Sequence, residues 1–157
     1  MLYLGDCIDV MKGLGSESVD LIFADPPYFL SNGGLSINSG KIVSVDKGEW
    51  GKQENYTNIH HFTNSWLTEC YRILKNTGSI WVSGTFHNIF DVERELKIIR
   101  YKIINIIVWH KSDPPQLIYK NKFRFSYEMI IWAKKGSKHI LNYDDMYSIN
   151  NCEMEDV

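Results

Sequence analysis

The fold is decided by residues 19–28, which read VDLIFADPPY. The apolar run Val19–Ala24 stops abruptly at an aspartate and two prolines, and such a run is typical of a buried strand in a parallel sheet. In open α/β sheets, ligands bind at the carboxyl ends of the strands. The stretch therefore predicts a parallel strand followed at once by functional residues. The four residues that follow the strand, Asp25, Pro26, Pro27 and Tyr28, are called the DPPY segment below.

Helical and strand-like periodicities alternate on both sides of this stretch, which predicts an α/β fold. The predicted helices are Asp6–Leu14, Phe62–Leu74 and a third from Thr85 as its cap to about Arg100. The predicted strands, besides Val19–Ala24, are a short start at Leu2–Leu4, then Ser79–Ser83, Ile103–Trp109 and Tyr127–Ala133.

The connections between these elements carry further expectations. Gly78 is expected to stop the second helix. Phe86, Ile89, Phe90 and Leu96 are expected to be the inward side chains of the third helix. No helix is evident between Ile103–Trp109 and Tyr127–Ala133, so these two strands are expected to pair antiparallel.

The segment 29–51 shows no period and contains five glycines, at positions 33, 34, 40, 48 and 51. A loop of about 20 residues inside a compact domain is usually functional or mobile. We expect it to be a mobile loop that closes over a bound substrate.

The composition indicates one soluble domain. The chain has 157 residues, 44% of them hydrophobic, and no apolar run approaches the length of a membrane span. The first ten residues lack the features of a signal peptide. Three cysteines without a CxxC pair argue against a disulfide framework. These features predict a reduced, cytoplasmic protein without a second domain or a membrane partner.

The charge is unevenly distributed along the chain. Residues 97–138 hold ten of the 17 Lys and Arg but only two of the 19 acidic residues, so a basic segment stands on an acidic chain. Such a segment can follow the phosphates of a nucleic acid. An ordinary solvated face is the alternative, and the charge alone does not separate the two.

The DPPY segment is suited to hold an exocyclic amine. The Asp25 carboxylate and the Pro26 carbonyl offer two acceptors for its two hydrogens, and the prolines leave no neighbouring N–H to compete for them. When the two acceptors bind those hydrogens, the lone pair of the amine is localised on its nitrogen. The Tyr28 ring offers a flat face on which the base that carries the amine can stack. A rigid turn that ends a strand is the structural alternative.

The sequence segments around this motif, together with the motif itself, resemble those of a known protein family. Six segments of the chain resemble blocks of the β-class DNA adenine-N6 methyltransferases of the DpnA and MboII type. They are Gly5-Asp6-Cys7, DPPYFLSNGG, VSVDKGEW, GSIWVSGTFHNI, NIIVWHKSDPP and YEMIIWAKKG. The resemblance implies a partial Rossmann-like methyltransferase sheet with an antiparallel C-terminal strand pair. It also implies site-specific methylation of adenine in DNA in a restriction-modification system, with GATC as the suggested site.

The resemblance assigns roles to individual residues. Asp25 and Pro26, with Pro27, would hold the target amine, and Tyr28 would stack on the flipped adenine. Asp6, Cys7 and Asp25 would lie near the cofactor, S-adenosylmethionine. The DNA contacts are expected at the basic residues between the last two strands, Lys111, Lys120, Lys122 and Arg124.

The chain departs from the family pattern in its cofactor loop. The family's Phe-x-Gly-x-Gly segment is expected after the basic segment and is not found there; the lone Gly13-Leu14-Gly15 follows a helix instead. The strands that accompany this loop would cover Val19–Ala24, and without them its edge is expected to be unpaired. The chain is thus expected to be the catalytic and DNA-facing part of one methyltransferase domain, either as a fragment of a longer enzyme or as a subunit completed by a homo-oligomer or another chain. A decayed, non-catalytic DNA-binding or interaction module is the alternative function.

No metal site is expected from the sequence. His60 and His61 could be combined with Cys70 or His87, but the spacing matches no zinc pattern.

Overall fold

The structure is a computed structural model that describes residues 1–29, 35–38, 41–44, 56–114, 121 and 123–150. Its helices are α1 Cys7–Lys12, α2 Tyr56–Ile73, α3 Ile89–Ile99 and α4 Tyr143–Asn150. Its strands are β1 Val19–Ala24, β2 Leu35–Asn38, β3 Lys41–Ser44, β4 Leu74–Gly84, β5 Lys102–His110 and β6 Tyr127–Lys134.

The main sheet has four strands in the order β1-β4-β6-β5. Strand β1 runs parallel to β4, and β6 is antiparallel to both β4 and β5. The expected α/β sheet with an antiparallel C-terminal pair is therefore confirmed.

The sheet topology gathers several chain segments at one end of the sheet. Ala24 pairs with Val82, at the carboxyl ends of β1 and β4. Gly84 pairs with Met129 of β6, and His110 pairs with Tyr127. The connection from β5 to β6 thus emerges at the same sheet end as the DPPY segment.

The core lies where α2 and α3 pack together and against the sheet. On the sheet, the Trp81 and Trp132 rings of paired positions in β4 and β6 stack with their centroids 4.8 Å apart. The side chains buried in the core include Trp66, Leu67, Cys70, Leu74, Ile80, Val82, Ile89, Leu96 and Ile131. Burial of this apolar cluster is the main force that holds β4 between helices and neighbouring strands.

Strand β1 is an edge strand in the part of the chain that the structure describes. Leu21 is 59% exposed and Phe23 63% exposed, so one face of the strand is open. The expectation of a fully buried strand is wrong here, and the expectation of an uncovered edge is confirmed. Leu2–Leu4 forms no strand and is exposed, because no described strand lies beside it to supply a ladder partner.

The third helix begins later than its pattern suggested. Its N-cap is Asn88 rather than Thr85, which lies in a preceding turn. Phe90 is 66% exposed and Phe86 is also exposed, so these two inward assignments are wrong. The buried stripe starts at Ile89 and continues with Val92 and Leu96, at helical spacing, and this stripe turns Phe90 away from the core.

The helix stop at Gly78 is also wrong. Helix α2 ends at Ile73, and the chain enters β4 at Leu74 without a loop. Gly78 serves a different purpose, because a Cβ there would lie 2.8 Å from the Asp20 carbonyl of β1. Its small size permits close approach of the two strands.

The segment 29–51 is only partly described. Residues 35–38 and 41–44 form an antiparallel ladder in which Leu35 pairs with Ser44 and Asn38 with Lys41. The expectation of a loop without regular structure is therefore wrong for β2 and β3, where Ile37, Ile42 and Val43 favour extended backbone. The remainder of that expectation lies outside the described residues.

Candidate active site

The DPPY segment leaves the carboxyl end of β1, at the sheet end described above. Asp25 is exposed, whereas Pro26, Pro27 and Tyr28 are half-buried. Phe29 follows with φ at +53°, in the left-handed region that bulky residues rarely adopt. Its ring meets the Phe62 ring of α2 edge-on, with centroids 6.2 Å apart. The segment is thus fixed between β1 and α2.

Two hydroxyl groups hold the Asp25 carboxylate at one oxygen. The Tyr28 hydroxyl donates to Asp25 Oδ1 at 2.6 Å, and Ser83 Oγ donates to the same atom at 2.6 Å. Ser83 is 3% exposed and belongs to β4, which runs beside β1. No hydrogen bond from another described residue reaches Asp25 Oδ2, so this oxygen remains an open acceptor.

Asn88 supports the segment from α3. Its side-chain amide donates to the Pro27 carbonyl at 3.4 Å, and its Oδ1 accepts from the Thr85 backbone N–H at 3.0 Å. Gly84 makes this arrangement possible, because a Cβ at Gly84 would lie 2.8 Å from Asn88 Oδ1. The end of β4 and the start of α3 therefore both help to hold the two prolines in place.

Burial raises the pKa of Tyr28 to about 12, and its hydrogen bond to the Asp25 carboxylate adds to this effect. The phenol is consequently neutral at physiological pH. It keeps its hydrogen and remains a donor to Asp25.

This raised pKa gives a testable result. The alkaline absorbance titration of the wild-type protein minus that of Tyr28→Phe is expected to show one phenol that ionises near pH 12. Because the pKa is higher in the folded state, the hydroxyl's contribution to stability is complete below pH ~10 and is lost as the pH rises toward 12. A difference curve centred near pH 10 would contradict the contact with Asp25.

The residues expected near the cofactor lie at α1. Asp6 caps this helix, since its Oδ1 accepts from the backbone N–H groups of Ile8 at 2.9 Å and Asp9 at 3.2 Å. Cys7 is exposed. Asp6 also lines an open groove of about 750 Å³ between α1 and α2, together with Phe62. Among the described residues Asp25 does not line this groove, but Phe29, which follows the DPPY segment, contacts Phe62, which does.

The Gly13-Leu14-Gly15 turn has a structural role. Gly13 is the C-cap of α1. The Arg72 guanidinium of α2 donates to the Met11 carbonyl at 2.6 Å and to the Leu14 carbonyl at 2.9 Å. These bonds tie the turn that follows α1 to α2.

Four basic residues of the connection between β5 and β6 are predicted to contact DNA, and the structure describes two of them, Lys111 and Arg124. Lys111 forms an ion pair with Glu128 on β6, and its ammonium lies 5.7 Å from the centre of the Trp109 ring. Arg124 donates to the Pro114 carbonyl. Lys120 and Lys122 lie outside the described residues, and DNA contact by all four stays a prediction.

An aromatic stack attaches this connection to the sheet end. The Phe125 ring stacks on the Phe86 ring with centroids 4.5 Å apart and an interplanar angle of 17°. Phe86 follows β4 directly, two residues after Gly84. The connection is therefore held beside the DPPY segment by its own aromatic residue.

Of the candidate metal ligands, His60 belongs to a polar cluster between α2 and α3. Glu95 is buried and bonds to His60 Nδ1 at 3.2 Å and to the Asn64 amide at 2.9 Å. Within the described ranges, no group of three His, Cys, Asp or Glu side chains is arranged to hold a metal ion. Nor does any helix found there have the length and apolar character to cross a membrane.

Comparison with known proteins shows the family of the chain. A family model of DNA methylases, N6_N4_Mtase, matches residues 19–155. The chain belongs to this DNA methylase family.

Curated relatives match nearly the whole length of this chain. It is 48% identical over 156 residues to the type II methyltransferase M2.MboI of Moraxella bovis and 41% identical over 161 residues to M2.DpnII of Streptococcus pneumoniae. The alignments cover 98% and 100% of this chain but only 57% and 60% of those relatives. The chain therefore spans less than two thirds of their length.

Solved structures show the same fold at lower identity. TTHA0409 of Thermus thermophilus, in complex with S-adenosyl-L-methionine, has a TM-score of 0.59 at 17% identity, over 92% of this methylase and 57% of that chain. The cytosine-N4-specific PvuII DNA methyltransferase has a TM-score of 0.62 at 17% identity, over 87% of this methylase and 49% of that chain.

Sequence reasoning missed two residues that position the methylase's DPPY segment. Ser83 was part of a predicted strand, and a polar side chain at the carboxyl end of a strand adjacent to β1 was a usable signal. Asn88 gave no signal, because its role depends on the late start of α3.

Proposed function

We propose that this methylase transfers a methyl group from S-adenosylmethionine to N6 of adenine in DNA, as part of a type II restriction-modification system. One observation carries the proposal: Asp25 Oδ2 and the Pro26 carbonyl, two acceptors at the strand end, have no hydrogen-bond partner among the described residues. The family match and the type II methyltransferases among the relatives support it.

The DPPY segment can activate an exocyclic amine. The two acceptors take the two amine hydrogens, which localises the nitrogen lone pair that the purine ring otherwise withdraws. Because the target atom lies inside the duplex, the base must first be flipped out. Tyr28 then lies beside Asp25 to stack on the base. Catalysis consists of positioning and lone-pair activation rather than a covalent enzyme intermediate.

Asp6 and its groove fit part of the cofactor. Its exposed carboxylate uses only Oδ1 in the helix cap, and Oδ2 is open to accept from sugar hydroxyls. Phe62, in the same groove, offers an aromatic surface. When bound, S-adenosylmethionine would supply a methyl group on a positively charged sulfur, which would leave as a neutral thioether. Asp25 and Pro26 would hold the amine that accepts this methyl group, and the exposed Asp25 carboxylate would take the proton that the amine loses. We assign Asp6, Cys7 and Asp25 to this cofactor's surroundings.

The remaining parts of the proposal concern partners. DNA would follow the basic segment at the DPPY end of the sheet, and residues 29–51 would close over the flipped base. A homo-oligomer, a second chain or the rest of a longer enzyme would complete the uncovered edge of β1. A cytoplasmic location fits an enzyme that acts on DNA in a bacterial cell.

The product identifies the reaction. The protein is incubated with labelled S-adenosylmethionine and unmethylated DNA, and the DNA is then digested to nucleosides. We expect label in N6-methyladenine. Label in N4-methylcytosine would contradict the assigned base. DNA binding without any transfer, even after the completing chain is supplied, would favour the non-catalytic alternative.

A further inference from the structure

We infer that Ser83 is a positioning residue that fixes the orientation of the Asp25 carboxylate, so that one of its oxygens stays free to accept from the target amine. The inference rests on the proposed function, because the amine is the group that Asp25 would hold. Ser83 itself does not touch the substrate. It acts through Asp25 from the neighbouring strand β4.

The count of hydroxyl hydrogens fixes the direction of the bond. Ser83 has one hydrogen and three oxygens within reach: Asp25 Oδ1 at 2.6 Å, the Ala24 carbonyl at 3.3 Å and the Tyr28 hydroxyl at 3.4 Å. Hydrogen bonds to a charged acceptor are shorter and stronger than neutral ones. The hydrogen therefore belongs to Asp25, and the carboxylate is held at Oδ1 with Oδ2 free.

Ser83 is the more rigid of the two donors to Asp25. It is 3% exposed and lies on a strand paired on both sides, whereas Tyr28 lies in the turn after β1. Tyr28 is also the residue expected to adjust when a base stacks on it. A site held from a strand is more precise than one held from a loop, so Ser83 keeps Asp25 oriented while Tyr28 moves.

The arrangement also selects the chemical class of the target. The hydroxyl hydrogens of Ser83 and Tyr28 are both used on Asp25 Oδ1. What remains, Asp25 Oδ2 and the Pro26 carbonyl, only accepts hydrogen bonds. An amine has two hydrogens and can satisfy both acceptors. A ring carbonyl of guanine or thymine would place its oxygen against these two oxygens with no hydrogen between them. Polar atoms that are buried without a hydrogen-bond partner cost free energy.

The test compares Ser83→Ala, Ser83→Thr and a control, Ser79→Ala. Ser79 is a buried serine of the same strand that makes no contact with Asp25. Misplacement of a reacting group by about 1 Å can cost about 10²-fold in rate. We therefore expect Ser83→Ala to lower kcat by about 10- to 100-fold with KM for DNA little changed. Ser83→Thr, which keeps the hydroxyl, should recover most of the loss, and Ser79→Ala should behave like wild type.

Crystal structures of wild type and Ser83→Ala provide a readout besides activity. The inference expects the Asp25 carboxylate to rotate or occupy two positions in Ser83→Ala. An unmoved carboxylate overturns the inference, and so does a rotated carboxylate with unchanged kcat. If the wild-type protein transfers no methyl group to DNA, the proposed function fails, while the position of the carboxylate still decides whether Ser83 orients it.

Discussion

Replacement of Asp25 with alanine is expected to lower kcat for methyl transfer by about 10²- to 10⁴-fold, the range typical when a group that acts only in the transition state is removed. The variant loses the acceptor Oδ2, so one amine hydrogen has no partner and the lone pair stays in the ring. Single-turnover transfer of labelled methyl groups to DNA measures the chemical step without product release.

The control for this result lies on the same strand. Asp20 of β1 is an exposed carboxylate that pairs with Lys75 at 2.8 Å, and an exposed pair of this kind contributes about 0–1 kcal/mol to stability. Asp20→Ala should therefore retain wild-type kcat. If Asp25→Ala also retains it, the DPPY segment is only a turn, and the acceptor pair must be sought elsewhere.

The location of this site was predictable from the sequence because its signal is local. An apolar run that stops at Asp25 defines both a strand and its carboxyl end, whereas its pairing partner, β4, was not predicted. The partners of Asp25 were not predictable to the same extent. Ser83 is 58 positions away in the chain, and only the register of β1 against β4 brings it within hydrogen-bond distance.

The errors in the fold have a common physical origin. Apolar residues were assigned to the interior because burial is the usual fate of such residues. Leu21 and Phe23 alternate with inward residues on an edge strand, however, and Phe90 lies beside the buried stripe of α3. Which side of an element is covered depends on its neighbours, and the period of the element alone does not contain that information.

Charge patterns were informative at the level of segments rather than residues. The basic bias of residues 97–138 is real, and the topology places the β5–β6 connection at the DPPY end of the sheet. Lys111 nevertheless has an acidic partner, Glu128, on the adjacent strand. A net count of charges cannot anticipate such a pair, because it depends on strand register.

The second large effect is expected in DNA binding, from the basic residues of the β5–β6 connection other than Lys111. Simultaneous replacement of Lys120, Lys122 and Arg124 with alanine is expected to weaken binding to specific and non-specific DNA alike. Each neutralised phosphate releases counterions, so the slope of log affinity against log salt should become shallower by about 0.9 for each phosphate that is no longer neutralised. For three phosphates this corresponds to roughly 10²- to 10³-fold weaker binding near 0.1 M salt.

A matched control uses three lysines at the opposite end of the same sheet. Lys75, Lys102 and Lys134 all lie near the sheet end where β1 begins, as the pairing of Lys102 with Lys134 and of Val19 with Leu74 shows. Their triple replacement removes the same charge but should leave the salt slope unchanged, because screened charges far from the DNA contribute little. An equal change of slope in both triple variants would mean that the effect follows net charge alone. An unchanged slope in the first variant would show that Lys120, Lys122 and Arg124 form a solvated face, and that DNA binds along another surface.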